Sequence, residues 1–460
     1  MNPTQELAAP TSAPKDGSLR ARPSRAWLRA AVVLVLVGSF AALANVGGKR
    51  FHELFPPGLV ATESASFGRV VCVLSGPDGG AVAAIAQPYA EYGRGGIVLV
   101  DLASGELVET IDGEQLPGWP RLLGARMHDV GDADGDGHGD LLAFYLDRAD
   151  PGDASDTSGG GAALFSGRSG ELIHVTDGLV SLNMYASAST RGGRLLDFDG
   201  DGVGDFSAKP IEEGGRVALF SGATGVRLPG MLTERAVEAE EWRVARLDGL
   251  PAVLSLRQGY AGEASRLRVD RFGAGSQQAR PDELALGSAK AKVRRFWNFP
   301  DALGGVFVTS RESQHAWKQA GFPLGYRYGV GAGESPARFE APEELRGYGQ
   351  SLGVKAVHVF DAGALGEVVV FGVQTSTFSS AVCAYTLETQ ELLWCTQGFP
   401  SSSAYLGSFM TNAQLDAEPV VVAAGDKLLA GSGRRVLVLR AVDGVEVGRF
   451  DHEDYVTLRN

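Results

Sequence analysis

Zinc and nucleotide signatures are missing from this chain. There is no H-E-x-x-H, no C-x-x-C and no phosphate-binding glycine loop, and the seven histidines, His52, His128, His138, His174, His315, His358 and His452, are scattered. Cysteine is scarce, with three residues in 460. Basic residues are outnumbered, 42 Lys and Arg against 55 Asp and Glu, for a net charge of -13. Residues 1–50 hold seven of the bases and two of the acids, so the rest of the chain carries -18. Phosphate binding relies on basic surface, so so acidic a body disfavours nucleic acid and anionic lipid as partners and suits cations.

Long apolar runs are also missing, with one exception. Residues 30–44, "AAVVLVLVGSFAALA", hold no charge, and the uncharged stretch continues to residue 48, about the length that spans a bilayer. Lys15, Arg20, Arg22, Arg25 and Arg29 precede it. That excess predicts a signal-anchor: a cytoplasmic basic segment over 1–29, a transmembrane helix over 30–48 and an extracytoplasmic body. The alternative is a cleaved signal peptide ending near Ala44, where Ala42-Leu43-Ala44 fits the small-residue rule, and a secreted or periplasmic product. In an exported domain a disulfide becomes plausible chemistry. Cys383 and Cys395 flank "AYTLETQELLW", which reads as two short strands around a turn near Thr389, so the two cysteines face each other at bonding separation. Two small apolar residues packed in a sheet is the other reading of that pair, and the expected fate of Cys72.

What is abundant is glycine, 63 residues, about twice ordinary usage and without a collagen period. With apolar content at 44% the chain can offset its ordering entropy, so it reads as globular and dense in turns. The glycines punctuate a repeat. "GGIVLVDLASGELVETIDG" (95–113), "GGAALFSGRSGELIHVTDG" (160–178) and "GGRVALFSGATGVRLPG" (214–230) are one hairpin used three times. Weaker copies place the turn anchors at Gly105, Gly170, Gly225, Gly275, Gly333, Gln390 and Gly444, a spacing of roughly 56 residues. A further strand pair precedes the hairpin, for example "SFGRVVCVL" with "AVAAIAQP". Four strands per unit, written as unbroken apolar runs such as "IVLV" and "VVVFGV", predict sheets buried on both faces. The fold expected is all-β: a seven-bladed β-propeller behind the N-terminal hydrophobic helix, with six and eight blades left open. Units four and five are faint, and "LTERAVEAEEW" and "DELALGSAKAKVRRFW" are rich enough in helix formers to be read as short helices.

Two of the inter-strand loops carry chemistry. Asp132-Ala133-Asp134-Gly135-Asp136-Gly137-His138-Gly139-Asp140 and Asp197-Phe198-Asp199-Gly200-Asp201-Gly202-Val203-Gly204-Asp205 superimpose at every aspartate. Oxygen donors at positions 1, 3 and 5, glycine at 6, a main-chain carbonyl at 7 and a carboxylate at 9 follow the logic by which a short loop wraps Ca²⁺. His138 therefore need offer only its carbonyl, as Val203 must. The loops are not EF-hands, because position 12 is Ala143 and strands flank them. Mg²⁺, which prefers octahedral ligands and keeps its waters, fits less well. Carboxylates this close repel unless a cation sits between them, and solvated acidic turns without metal are the competing reading.

Loops and repeats together resemble the FG-GAP family, the building block of integrin alpha-subunit heads. Phe67-Gly68 opens unit one and Tyr348-Gly349 opens unit six, and the likeness covers about residues 67–452, leaving a linker over 49–66 and a tail over 453–460. The resemblance implies two Ca²⁺ sites, Asp132, Asp134, Asp136 and Asp140, and Asp197, Asp199, Asp201 and Asp205. It also implies a partner face on the side away from the calcium loops, with Tyr89, Tyr92, Trp317 and Phe322 as candidate contacts. Gly349-Gln350-Ser351-Leu352-Gly353 matches G-x-S-x-G, but the surrounding residues lack the strand-turn-helix pattern of a nucleophile elbow. The functional expectation is a membrane-tethered, non-catalytic adhesion or scaffold module for a protein or glycan ligand. The alternative is a secreted polysaccharide lyase or hydrolase with its site in the central channel.

Overall fold

The computed structural model describes residues 70–87, 95–117, 121–147, 159–180, 195–233, 242–247, 250–257, 265–272, 282–286, 292–299, 305–311, 323–329, 337–346, 353–376, 379–400, 420–431 and 435–451. The apolar segment 30–48, Phe67-Gly68, Tyr348-Gly349, Ser351, Tyr89, Tyr92, Trp317 and Phe322 lie outside them. Among the described residues no helix is long and apolar enough to cross a membrane.

Strands form antiparallel meanders, each strand paired with the next in sequence. The first sheet runs Val71–Ser75, Ala81–Gln87, Gly96–Asp101, Leu107–Asp112. The second runs Arg121–Gly131, Asp140–Asp147, Gly159–Phe165, Leu172–Val180. A third sheet holds three strands, Phe206–Ala208, Ala218–Phe220 and Arg227–Leu232. Four more sheets of four strands follow, starting at Trp242–Leu247, Lys292–Phe299, Gly353–Asp361 and Val420–Ala424.

Successive sheets pack face to face, and the last returns to the first. Val71, Ala83, Ile85, Val98 and Val100 of the first sheet share one buried cluster with Val422, Leu429, Val436, Val438 and Phe450 of the last. This closure makes the fold a β-propeller. It also explains the unbroken apolar strands. Along Ala81–Gln87, Val82, Ala84 and Ala86 pack toward the second sheet while Ala83 and Ile85 pack toward the last. A strand alternates faces, and here both faces are core, so neither set of positions can be polar.

The hairpin turns repeat with little variation. Gly105, Gly170, Gly225, Gln390 and Gly444 all take φ between 57 and 75°. Each N–H closes the turn on the carbonyl four residues earlier, for example Gly444 on Arg440 at 2.8 Å. Gly444 is fixed twice, since a Cβ there would meet the Trp394 ring at 2.4 Å as well as forcing a side chain into left-handed backbone. That contact is part of a latch between sheets. Trp394 Nε1 and the Thr396 hydroxyl of the sixth sheet donate to the carbonyls of Ala441 and Gly444 in the seventh, each at 2.9 Å. His174 Nε2 and the Thr176 hydroxyl of the second sheet reach Gly222 and Gly225 of the third at 2.9 and 3.0 Å in the same way.

One expectation fails. Asp282–Leu286 and Lys292–Phe299, within the stretch read as helix-forming, are the closing strand of the fourth sheet and the opening strand of the fifth. Ladder pairing to Ser265–Arg271 and Gly305–Arg311 overrides the local helix propensity of Ala, Glu and Lys. Cys383 and Cys395 are register partners in the sixth sheet, and their sulfurs are joined as a disulfide. Cys72 is a buried free thiol in the first strand, its pKa raised by desolvation and by the charge of Asp129.

Candidate metal centres in the aspartate loops

The first loop joins the first two strands of the second sheet, and the second loop runs into Phe206–Ala208 of the third. Glycines at the positions between the acids let each chain turn back on itself: Gly135 and Gly137, and Gly200 and Gly202, lie at φ between 80 and 92°. Backbone N–H groups then converge on the carboxylates in the same order in both copies. Asp132 accepts from Gly135 and Gly137 at 2.7 and 2.9 Å, and Asp197 from Gly200 and Gly202 at 2.6 and 2.9 Å. Asp134 accepts from Asp136 N–H, and Asp136 from His138 N–H. Asp199 accepts from Asp201 N–H, and Asp201 from Val203 N–H.

The ninth position is the buried corner of each loop. Asp140 and Asp205 are 0% and 2% exposed. One oxygen of Asp140 accepts from Ala133 and Asp134, and the other from Gly167, in the hairpin turn of the same sheet, at 2.9 Å. Asp205 repeats this with Phe198, Asp199 and Gly222. Burial pushes both carboxyls up to about 6, against the opposing pull of these N–H donors. Asp199 is raised too, by partial burial first and then by its neighbours Asp201 and Asp197.

Each loop is also tied to the sheet before it. Gly139 N–H donates to the Ser75 carbonyl of the first sheet, and Gly204 N–H to the Val130 carbonyl of the second, both at 2.6 Å. A Cβ on Gly167 or Gly222 would sit 1.9 or 2.0 Å from the carbonyl oxygen of Gly139 or Gly204, so loop and turn touch backbone to backbone. Loop, turn and neighbouring sheet are therefore one mechanical unit.

Asp132, Asp134 and Asp136 each bring a carboxylate oxygen within 4.8 Å of the others, and Asp197, Asp199 and Asp205 do the same. The donors are all oxygen, the set a hard divalent cation takes. The structure thus brings together three of the four sequence-derived acids in each loop: the first cluster is formed without Asp140, whose two oxygens accept backbone N–H groups, and the second without Asp201. His138 lies with Nδ1 3.3 Å from the Asp136 carboxylate, and the Val203 side chain is buried in the core between second and third sheets. Sequence reading missed Gly167 and Gly222. The signal was present in the repeated "LFSG" before the two turns, where glycine follows serine at the same place.

No family model matches this sequence, and no curated protein matches it. Among solved structures the chain is similar to BamB from Moraxella catarrhalis, with 14% identity, TM-score 0.36, and coverage of 82% of this chain and 87% of that one. It is similar to a structure of prolyl endopeptidases at 12% identity and TM-score 0.46, over 95% of this chain and 56% of that one. The Dos1 propeller aligns at 9% identity and TM-score 0.39, over 79% of this chain and 76% of that one.

Proposed function

We propose that this chain is a calcium-braced propeller of the FG-GAP kind, held outside the cytoplasm by its N-terminal apolar segment, and that it is a non-catalytic binding module for a protein or glycan. The observation that carries the reading is the duplication. Two loops 65 residues apart present the same acids, make the same hydrogen bonds and tie to the preceding sheet through the same glycine. Asp132, Asp134, Asp136, Asp140 and the carbonyl of His138 hold one Ca²⁺, and Asp197, Asp199, Asp201, Asp205 and the carbonyl of Val203 hold the other. Each ion neutralises a carboxylate cluster that otherwise repels itself, and so locks the seam between two blades.

The blade count in this reading is seven. Leu195 and Leu196 stand where the first strand of the third blade would end: Leu196 accepts from Asp205 N–H at 2.8 Å, and Leu195 donates to Asp129 O at 2.9 Å. Calcium added to chelated protein is expected to raise the thermal midpoint in a saturable way, because it binds the folded state alone. The variant Asp134→Ala with Asp199→Ala should lose the effect. An unchanged wild-type midpoint, or an equal rise in the variant, refutes the metal assignment.

A further inference from the structure

The two aspartate loops are bonded to each other as well as to their sheets. The chain enters the first loop through Asp129-Val130-Gly131, and two carbonyls of that entrance accept from the two ends of the second loop. Leu195 N–H, just before Asp197, donates to the Asp129 carbonyl at 2.9 Å, and Gly204 N–H, next to Asp205, donates to the Val130 carbonyl at 2.6 Å. Between these two donors, Asp205 N–H closes the second loop on the Leu196 carbonyl at 2.8 Å. The entrance of one loop is therefore the floor on which the other closes.

Side chains meet at the same junction. The buried Asp129 carboxylate accepts from Gly131 N–H at 2.8 Å, and a Cβ on Gly139, at the closing end of the first loop, would stand 3.0 Å from it. Asp129 thus has its carboxylate between the two ends of the first loop while its carbonyl holds the second. On the opposite face of the strand, Val130 shares one apolar cluster with Ala133 of the first loop and with Leu195 and Val203 of the second. The first loop makes the matching bond to the sheet before it, Gly139 N–H to the Ser75 carbonyl at 2.6 Å, but the turn after Ser75 is Gly76-Pro77-Asp78-Gly79-Gly80, with a single acid. The series of bonds joins two acidic loops and stops there.

We infer that the two loops take up calcium cooperatively, an ion in either one raising the affinity of the other through the junction at Asp129 and Val130. This rests on the calcium reading above and adds coupling to it. Without an ion the clustered carboxylates repel, so closing a loop costs Coulomb energy and conformational entropy. An ion in the second loop fixes Leu195 and Gly204, and through their hydrogen bonds the entrance that leads to Asp132, so part of the ordering is done before the next ion arrives. Electrostatics alone gives the opposite sign, since the first ion removes negative charge that draws in the second. The sign of the coupling separates the two causes.

Calcium titrated into the chelator-stripped full chain at physiological salt, followed by calorimetry, should bind as two ions along a curve steeper than that of a single site. Asp134→Ala, which disables the first loop, should weaken the surviving site about fivefold or more, and Asp199→Ala should weaken the first site by the same factor, because coupling is reciprocal. Amide exchange at Leu195 and Gly204 reads the second loop directly, and in Asp134→Ala their protection should need correspondingly more calcium. Asp129→Ala should still bind two ions but lose the steepness, while Asp129→Asn, which keeps an acceptor for Gly131 N–H, should retain it. Two ions bound by the wild type along a curve no steeper than that of a single site overturn the coupling and leave the calcium reading standing. So do surviving sites that bind as tightly in both single-loop variants as in the wild type. A wild-type chain that binds no calcium overturns both.

Discussion

Calcium affinity should fall steeply below about pH 6, because the metal must displace a proton from the buried carboxylate of each loop. Asp140 and Asp205 are pushed from 3.8 up to about 6 by burial. A rise of about two units at about 1.4 kcal/mol per unit makes ionising each of them cost up to about 3 kcal/mol in the metal-free fold. The sign follows: a carboxyl raised by folding adds stability that is fully present below 3.8 and is lost as pH rises through about 6. The chelated protein is therefore penalised at neutral pH, and the cation removes that penalty. At about pH 5 the carboxyl is about nine-tenths protonated, so affinity should be about tenfold lower than at pH 7.5, one proton released per ion. Calorimetric titration in two buffers of different ionisation enthalpy reads both affinity and proton release. Asp140→Asn should abolish the proton release of the first site only. Equal affinity at both pH values, or no buffer-dependent heat, refutes the role given to the buried acid.

Three further outcomes follow from the same structure. Gly225→Ala should cost about 2–4 kcal/mol in denaturant unfolding, from left-handed backbone plus a Cβ set 2.4 Å from the Thr176 hydroxyl, whereas Gly178→Ala, left-handed but with open space around it, should cost about 1–2. Replacing Cys383 and Cys395 together by Ser should lower stability by about 2–4 kcal/mol, as expected for opening a cross-link between residues 12 apart, and equal stability of the double variant would contradict it. His358 is held down to about 4 by burial, so its contribution is lost as pH falls from about 6.5 toward 4, and His358→Leu should flatten the acid limb of a stability profile.

Much of this was legible in the sequence because the repeat is local. A turn with a left-handed residue shows itself as glycine at a fixed place, and five of the seven turn anchors read that way are described and adopt it, Gln390 with its side chain included. The aspartate loops were legible because both copies keep every acid in register. The strands at Asp282–Leu286 and Lys292–Phe299 were not, since Ala, Glu and Lys favour helix in isolation and only the ladder decides otherwise. The latches from His174 and Thr176, and from Trp394 and Thr396, join residues 47 to 49 positions apart, so no local pattern announces them.

Counting bound calcium tests the central claim most directly. Protein stripped with chelator, then equilibrated with calcium and separated from free ion, should carry two ions per chain, falling to one in Asp134→Ala and one in Asp199→Ala. A wild-type chain that retains none, or two ions retained in both variants, would contradict the assignment of these loops as the braces of the propeller.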